Sequence, residues 1–543
     1  MVNVRPRRSA LSEVSFDLVD EPWLPVDDDG GVREVSLAEL LERAHELAGL
    51  AVTPPTMQPV LLRFLVALTL DVFGAPRSAE EWGRRFERGQ FAHEEVRAYL
   101  EEHRDRFDLF HPVRPFAQVP DLETPKGETK PSSLLVPAAA TGNNVPLFSP
   151  RTDGDPPRLT PSEAARYVLH THTWDTAGIK TGVVGDPLTK SGKTTGNHVG
   201  ALGRLGVLVL LGRNLFESVL LNTPIVSTGL EPDDRPTWRH DEPASAAWEP
   251  AKVCTGYRQL LTWQSRRIRL FPEVDEAGCV TVAEVIVSAG DRMVALPTFE
   301  PHTAWRRPDQ KKVGDVARPL THRAGREAWR GLDALLAISS SDDRYETSNL
   351  LEQVSRLVGE GDLSATYPLR VATSGVVYGT QSAVVEDVLG DELPLPLAAL
   401  RGDASLNQFL RDVTVQVEEL ERAIDLLDAD LRRACGGEPV PWDRGQRAGT
   451  ILVHALDPYV RRLLAGLSRD PNREDVARQA WIVVARRTAE EVRDRLLDAV
   501  PPTAYVGRQE GSRHHRVGAA VRAFHRRFAA AVSAEEHAPR EVG

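Results

Sequence analysis

GIKTGVVGDPLTKSGKTTGNHVGALGRLGVLVLLGR, from Gly178 to Arg213, passes from a glycine-rich polar half into an apolar run. Nine of the chain's 40 glycines lie between Gly178 and Gly212, and three of its eight lysines lie there too: Lys180, Lys190 and Lys193. Glycine lets a backbone approach a ligand closely, and flanking cations favour an anion, so the polar half predicts contact with phosphate or nucleic acid. The apolar run from Val207 to Leu211, continued by Leu215 and Val219, predicts a buried helix.

Part of this stretch also resembles a nucleotide-binding loop, because Gly192-Lys193-Thr194 matches the end of that motif. The full motif requires a glycine five positions before Gly192, where this chain has Pro187, and a buried strand before the loop. Neither requirement is met. A nucleotide-hydrolysing enzyme that uses Lys193 and Thr194 therefore remains only an alternative interpretation, and a plain surface loop is another.

The composition limits the partners that such a loop can have. The chain has 543 residues and a net charge of −12, so contact with nucleic acid requires local basic patches on an acidic body. Its three cysteines have no CxxC spacing, and no metal site or cofactor is predicted. The N-terminal residues lack the apolar core of a signal peptide, and the most apolar stretches contain charges. We expect a cytoplasmic protein without a membrane segment.

Residues 1–390 show mixed helical and strand patterns. Ser36 with Glu39, and Thr160 with Glu163, are typical of helix capping boxes, the first of them for a helix from Leu37 to Ala48. Strands are predicted at Phe16–Val26 before the Asp29-Gly30 turn, and at Leu261–Leu270, Val280–Val287, Arg292–Leu296 and Tyr367–Tyr378. The residues after Tyr378, Gly379 to Ser382, predict the tip of a hairpin. A polar side chain at such a tip is either solvated or pushed into a partner.

Residues 391–543 change to a purely helical pattern after the acidic, proline-ended segment Glu386–Pro396. Apolar residues alternate spacings of four and three from Leu406 to Leu431, which is typical of a helical seam. Three further helical segments follow, at Ala448–Leu467, Val476–Val500 and Val517–Val532. The sequence therefore predicts an α+β protein in which a mixed α/β domain precedes an antiparallel four-helix bundle.

Arginines are concentrated in and just before the last predicted helix. Arg513, Arg516 and Arg526 belong to a group of six arginines that faces one acidic residue, Glu510. Such a run is either a solvated face or a contact with nucleic-acid backbone. The chain lacks the G-x-S-x-G and H-E-x-x-H motifs of common hydrolases, which favours a binding subunit over an enzyme.

Several blocks together resemble the CasA family, the large subunit of the type I-E CRISPR Cascade surveillance complex. These blocks are FDLVDEPWLPV, HPVRPFAQ, NNVPLF, AGIKTGVVGDPLTKSGKTTG, TWQSRRIRL and YGTQSA, followed by the terminal bundle. The resemblance implies a large α/β domain of unusual topology and a non-catalytic gatekeeper. Such a protein reads the protospacer-adjacent motif in double-stranded DNA, starts strand separation for guide pairing, and recruits a helicase-nuclease. Its partners would be the guide RNA with the guide 5′-end cap, backbone and small subunits.

The resemblance also assigns roles to residues. The family's glycine loop corresponds to Gly178, Ile179, Lys180, Thr181 and Gly182, which would approach the minor groove of the motif. Its glutamine wedge corresponds to Gln381, flanked by Thr380 and Ser382, and its guide-anchoring loop to Asn143, Asn144 and Phe148.

This chain departs from parts of the family pattern. No lysine corresponds to the minor-groove lysine of some members, and Arg292 is the nearest basic candidate; the zinc-binding CxxC pairs of other members are absent. Lys190 and Lys193, with Arg513, Arg516 and Arg526, are the expected contacts to DNA backbone. A purely structural scaffold, whose bundle only holds its neighbours, is the third hypothesis.

Overall fold

The computed structural model describes residues 14–137, 139, 157–309, 314–338, 344–401, 405–441 and 445–533. The chain folds as two compact units. The first comprises Met1–Arg326, Glu346–Leu363 and Arg370–Glu392, and the second comprises Glu327–Tyr345, Ser364–Leu369 and Leu393–Gly543. Two short segments that precede residue 390 therefore fold with the C-terminal unit. None of the described helices has the length and apolar character that crossing a membrane requires.

The described helices and strands alternate in the first unit, whereas long helices dominate the second. The helices are α1 (Leu37–Arg43), α2 (Met57–Phe73), α3 (Ala79–Arg88), α4 (His93–Glu102), α5 (Pro161–Trp174), α6 (Leu215–Leu221), α7 (Tyr257–Leu261), α8 (Leu332–Leu335), α9 (Asn349–Glu360), α10 (Ser405–Ala434), α11 (Ala448–Arg469), α12 (Glu474–Asp498) and α13 (Val517–Ser533). The strands are β1 (Leu24–Asp28), β2 (Gly31–Val35), β3 (Gly49–Leu50), β4 (Lys130–Pro131), β5 (Gly178–Thr181), β6 (Lys193–Asn197), β7 (Val207–Leu211), β8 (Arg266–Val274), β9 (Val280–Ala289), β10 (Trp305–Arg306), β11 (Arg318–Pro319), β12 (Tyr345–Glu346), β13 (Arg370–Tyr378), β14 (Val385–Pro394), β15 (Arg508–Glu510) and β16 (Arg513–His515). The predicted mixture of helix and sheet, with a helical C-terminal region, is confirmed.

Local signals place the first elements of the chain. Strands β1 and β2 pair through the predicted Asp29-Gly30 turn, but β1 begins at Leu24 rather than at Phe16. The Ser36 side chain accepts a hydrogen bond from the backbone N–H of Glu39 at the start of α1, but that helix ends at Arg43 rather than Ala48. Helix α5 begins with both hydrogen bonds of the predicted capping box, between Thr160 and Glu163. Because the caps satisfy orphan N–H groups locally, they were readable from sequence.

The apolar run Val207–Leu211 was wrongly predicted as a helix. It forms strand β7, pairs antiparallel with β13, and has all five residues buried; helix α6 follows after a break. A short, fully buried apolar run fits a strand and a buried helix equally well, so the sequence pattern cannot distinguish them. Pairing with a neighbouring strand decides which of the two forms. Residues Arg292–Leu296 were also predicted as a strand and lie outside the named strands, with one bridge from Met293 to Lys252.

The long antiparallel pair β8–β9 is the main sheet near the candidate site, and β4 extends it. Arg266 and Arg267 are neighbours on β8, so their side chains leave opposite faces of the sheet. Both are buried, at 3% and 8% exposure. Arg269 donates to the carbonyl of Leu122 and lies over the Phe271 ring. The predicted solvated strand edge is therefore wrong for Arg266 and Arg267, and contact with phosphate stays a prediction.

The second unit contains the predicted four-helix bundle, in which α10 packs against α11, α12 and α13. All eight predicted seam residues of α10 are at most 4% exposed: Leu406, Leu410, Val413, Val417, Leu420, Ile424, Leu427 and Leu431. Gln416 joins three helices, because its Oε1 accepts from Trp481 Nε1 at 2.6 Å and its Nε2 donates to the carbonyl of Ala531 at 3.1 Å.

Candidate nucleic-acid interface

The glycine-rich stretch forms an ordered β-hairpin, made of β5, β6 and the connection between them. Buried Asp186 organises that connection: its Oδ2 accepts from the hydroxyls of Thr189 and Thr194, and its Oδ1 accepts from the N–H of Leu188. Lys190 and Lys193 pair across the two-residue turn Ser191-Gly192, whose φ angles are both positive. The turn therefore presents both exposed lysines side by side to solvent.

Two glycines of the hairpin have different physical reasons to be glycine. Gly178 begins β5 with a φ of +104°, in the region that favours glycine. A Cβ on Gly182 would lie 2.5 Å from Thr189 Cγ2 and 2.6 Å from the carbonyl carbon of Gly192. Gly182 is therefore needed for close packing within the hairpin.

Ile179 and Lys180 point to opposite sides of β5. The Ile179 side chain is 64% exposed, whereas the Lys180 side chain is 10% exposed. Lys180 Nζ lies 2.6 Å from Asp175 Oδ2, and the same carboxylate pairs with Arg266 Nε. Thr181 continues the strand and accepts a hydrogen bond at its carbonyl from Ser288 Oγ of β9. The side chain that this strand offers to a partner is therefore Ile179, and Lys180 belongs to a buried ion cluster.

Charge is not balanced in the ion cluster of Asp175, Lys180 and Arg266. Burial by itself would raise the pKa of Asp175, but the two cations outweigh it and lower that pKa to about 2. Burial lowers the pKa of the Lys180 ammonium; the attraction of Asp175 opposes this but does not outweigh burial together with the smaller repulsion of Arg266. Two cations share one carboxylate, so Lys180 is the member whose charge costs most to bury.

The tip between β13 and β14 holds the predicted wedge. Thr380 and Gln381 are exposed, and Gln381 has a left-handed backbone with φ of 56° and ψ of 19°. The carbonyl of Ser382 accepts a hydrogen bond of 2.8 Å from the N–H of Ala177, directly before β5. The tip and the hairpin are therefore adjacent, although about 200 residues of chain separate them.

Arg292 lies beside β6, the second strand of the β5–β6 hairpin. Its guanidinium donates to the carbonyl of Gly196 on β6 at 2.6 Å and lies over the Trp248 ring at 5.6 Å. The aromatic ring and the carbonyl hold the planar group in place without neutralising its charge. His198 and Arg204 line the same cleft as Arg292.

The hairpin does not have the form of a nucleotide-binding loop. Lys193 and Thr194 begin a β-strand, whereas that motif places them at the start of a helix. The Thr194 hydroxyl is buried against Asp186. Within the described ranges no cluster of three potential metal ligands occurs, and His170 and His172 instead bond Thr56 and the carbonyl of Ala117.

Other predicted contacts lie elsewhere. Arg513, Arg516 and Arg526 are exposed residues of the second unit. Asn143, Asn144 and Phe148 fall outside the described residues.

Sequence reasoning missed Asp175 and assigned no burial to Arg266. Asp175 follows α5 directly and precedes the glycine-rich stretch, so an acidic residue beside a basic loop was the available signal. Arg266 lies 91 residues further along the chain, and no local pattern relates it to Asp175.

Comparison with known proteins identifies the family and the fold of the chain independently of the site's geometry. The sequence model of the family described as CRISPR-associated protein Cse1 matches residues 17–492. The CRISPR-associated protein CasA/Cse1 of Thermus thermophilus is 31% identical over 459 residues, which cover 82% of each chain. The crystal structure of Thermobifida fusca Cse1 has a TM-score of 0.82 and 33% identity, over 96% of this chain and 98% of that one. A chain of a structure titled CRISPR RNA-guided surveillance complex shares the fold at a TM-score of 0.68 and 21% identity, over 95% and 99% of the two chains.

Proposed function

Because the chain belongs to the family of CRISPR-associated protein Cse1, also called CasA, we propose that it is the large subunit of an RNA-guided surveillance complex. In this role it recognises the short motif beside the target in double-stranded DNA and starts strand separation. It then recruits a helicase-nuclease, and its own role is binding without catalysis. The guide RNA and the cap, backbone and small subunits are its partners in the complex.

The observation that carries this proposal is the adjacency of the β5–β6 hairpin and the Gln381 tip. A hydrogen bond between Ala177 and Ser382 joins the two elements. The exposed Ile179 and the hairpin backbone are the groups that this strand would present to the minor groove. In the proposed role, Gln381 next to that edge separates the first base pair once the groove is engaged, and this separation costs a few kcal/mol per unstacked step.

Charged residues contribute affinity for DNA at this interface, and they do not distinguish one DNA sequence from another. Lys190 and Lys193 stand at the hairpin turn, where they suit phosphates of the duplex backbone. In the second unit the exposed arginines Arg513, Arg516 and Arg526 suit the same chemistry. The guide-anchoring role of Asn143, Asn144 and Phe148 remains part of the proposal on family resemblance alone.

The test uses the complex assembled with guide RNA and a duplex that carries the matched target. Gln381→Ala should slow strand opening, followed by a fluorescent base analogue at the first target pair, by at least about ten-fold. The matched control is Gln90→Ala, which removes another exposed glutamine side chain. Unchanged strand opening and unchanged motif discrimination in Gln381→Ala would contradict the proposal.

A further inference from the structure

A cleft of about 290 Å³ opens between the segment after β6 and the segment after β9. Four basic side chains line it: His198, Arg204, Arg266 and Arg292. Among the residues that line this cleft Asp291 is the one acidic residue, and its carboxylate is already bonded to Lys252 and Arg267. The volume lies just below the range of pockets for drug-sized ligands, so a single small anionic group fits it best.

Positive charge in the cleft is not neutralised by the cleft's own residues. Arg266 directs its Nε to Asp175, but the described hydrogen bond of Arg292 goes to the neutral carbonyl of Gly196. Burial and the repulsion of Arg204 and Arg266 lower the pKa of Arg292. Burial and the charges of Arg292, Arg204 and Arg266 likewise lower the pKa of His198. Such mutual repulsion is relieved when an anion binds between the cations.

The cleft is also connected to the proposed recognition hairpin. Arg292 bonds Gly196 on β6, β6 pairs with β5, and Ala177 directly before β5 donates a hydrogen bond to Ser382 of the Gln381 tip. A backbone that follows the hairpin edge can therefore reach the cleft. The planar guanidinium of Arg292 is held over Trp248, and a guanidinium offers the fork of N–H donors that phosphate oxygens accept.

We propose that this cleft binds one phosphate group of a nucleic-acid backbone, held by His198, Arg204 and Arg292. The proposal rests on the proposed function, because the nucleic acid is the DNA that the hairpin and the tip engage. The contact anchors the duplex while the Gln381 tip opens the first base pair. A phosphate contact carries no sequence information, so this site contributes affinity and register.

The experiment measures the affinity of the assembled complex for duplex DNA at several salt concentrations. Arg204 is exposed, so Arg204→Ala leaves the fold intact. It should weaken binding roughly ten-fold at about 0.1 M salt and make the log–log salt dependence shallower by about 0.9. The matched control is Arg84→Ala, which removes the same charge from an exposed position on α3. Discrimination between motif sequences should be unchanged in both variants.

Protonation of His198 provides a second, independent measurement. Burial and the charges of Arg292, Arg204 and Arg266 lower the pKa of His198, and a bound phosphate opposes the repulsion and raises that pKa, so binding favours uptake of a proton. Affinity should therefore increase as the pH falls from about 8 to about 6, and this slope should be smaller in His198→Gln. The same pH slope in wild type and His198→Gln would overturn the role of His198.

Inorganic phosphate distinguishes a nucleic-acid site from a site for free anions. Millimolar phosphate should compete with duplex DNA in the wild type more strongly than in Arg204→Ala. Binding of phosphate without any change in DNA affinity or salt slope in Arg204→Ala would overturn the proposal in favour of a free anion. If Gln381→Ala leaves strand opening unchanged while Arg204→Ala changes the salt dependence of DNA binding, the wedge role of Gln381 is refuted and the phosphate site is supported.

Discussion

Removing Asp175 should cost far more stability than removing Lys180, although the two side chains form one ion pair. The side chains of Asp175, Lys180 and Arg266 are 11%, 10% and 3% exposed. Asp175→Asn leaves two buried cations without a counter-charge, and breaking a buried pair in this way costs about 3–5 kcal/mol. The lowering of the Asp175 pKa from 3.8 to about 2 corresponds to about 2 kcal/mol, net of its burial. We therefore expect a loss of about 2–5 kcal/mol in the free energy of unfolding.

Lys180→Met is the matched comparison, because it removes the cation and keeps the aliphatic stem. Arg266 and Asp175 then remain as a one-to-one pair, and the burial that lowers the Lys180 pKa is no longer a cost. We expect a loss of no more than about 1 kcal/mol, or a small gain. In the wild type, stability from Asp175 is present above about pH 4 and is lost as the pH falls towards 2.

Urea unfolding followed by tryptophan fluorescence measures both variants, since Trp174 directly precedes Asp175. Because the chain has two units, hydrogen exchange at the amides of residues 178–197 should be recorded alongside. Asp175→Asn should increase exchange in this hairpin strongly, and Lys180→Met should increase it little. Equal losses in the two variants, or a greater loss in Lys180→Met, would refute the account of an unbalanced cluster.

Three further expectations concern the same unit. Burial lowers the pKa of His170 to about 3 and that of His172 to about 4. Folding therefore keeps both rings neutral, and the stability present above about pH 6.5 is lost as the pH falls. At pH 5 each histidine should lower the free energy of unfolding by about 2 kcal/mol, which is measured as a lower Tm than at pH 7. Gly182→Ala places a Cβ 2.5 Å from Thr189 Cγ2, so we expect about 1–3 kcal/mol of destabilisation in urea and faster hairpin exchange. Gln381→Gly relieves a left-handed backbone, so the free energy of unfolding should stay equal or rise by up to about 1–2 kcal/mol, and the Tm should not fall. Strand opening by the assembled complex should nevertheless slow, because the glutamine side chain is gone.

Each of these expectations has its own contradicting outcome. A Tm that does not change between pH 7 and pH 5 would contradict neutral burial of His170 and His172. Wild-type exchange rates in Gly182→Ala would show that the hairpin has room for a methyl group. Loss of Tm in Gln381→Gly would mean that the glutamine side chain stabilises the tip.

Much of the fold could be predicted because its signals are local. Apolar residues recur every three or four positions from Leu406 to Leu431, so they lie on one face of a helix, and their burial could be predicted from this spacing alone. The side-chain cap at Ser36 and the capping box at Thr160 act within four residues. The tip at Gln381 was readable from turn-forming residues between two extended runs.

The candidate site was only partly predictable. Family resemblance marked the hairpin and Gln381, and the hydrogen bond from Ala177 to Ser382 brings them together as that hypothesis required. Resemblance also marked Lys180 as part of the recognition loop, whereas its ammonium is buried against Asp175. His198 and Arg204 were assigned no role, although both lie in the Gly178–Arg213 stretch and Arg204 is one of its basic residues.

The sequence alone determined the helical bundle and the gathering of glycine and lysine between Gly178 and Gly212. Alternation along β5 requires Ile179 and Lys180 to face opposite sides, but it does not say which side meets solvent. Only the tertiary structure decided that, by placing Asp175 and Arg266 under Lys180 and leaving Ile179 outside. Likewise, only pairing with β13 made Val207–Leu211 a strand. The physical reason is the same in both cases: the deciding contacts join residues far apart in the chain, and no local pattern encodes them.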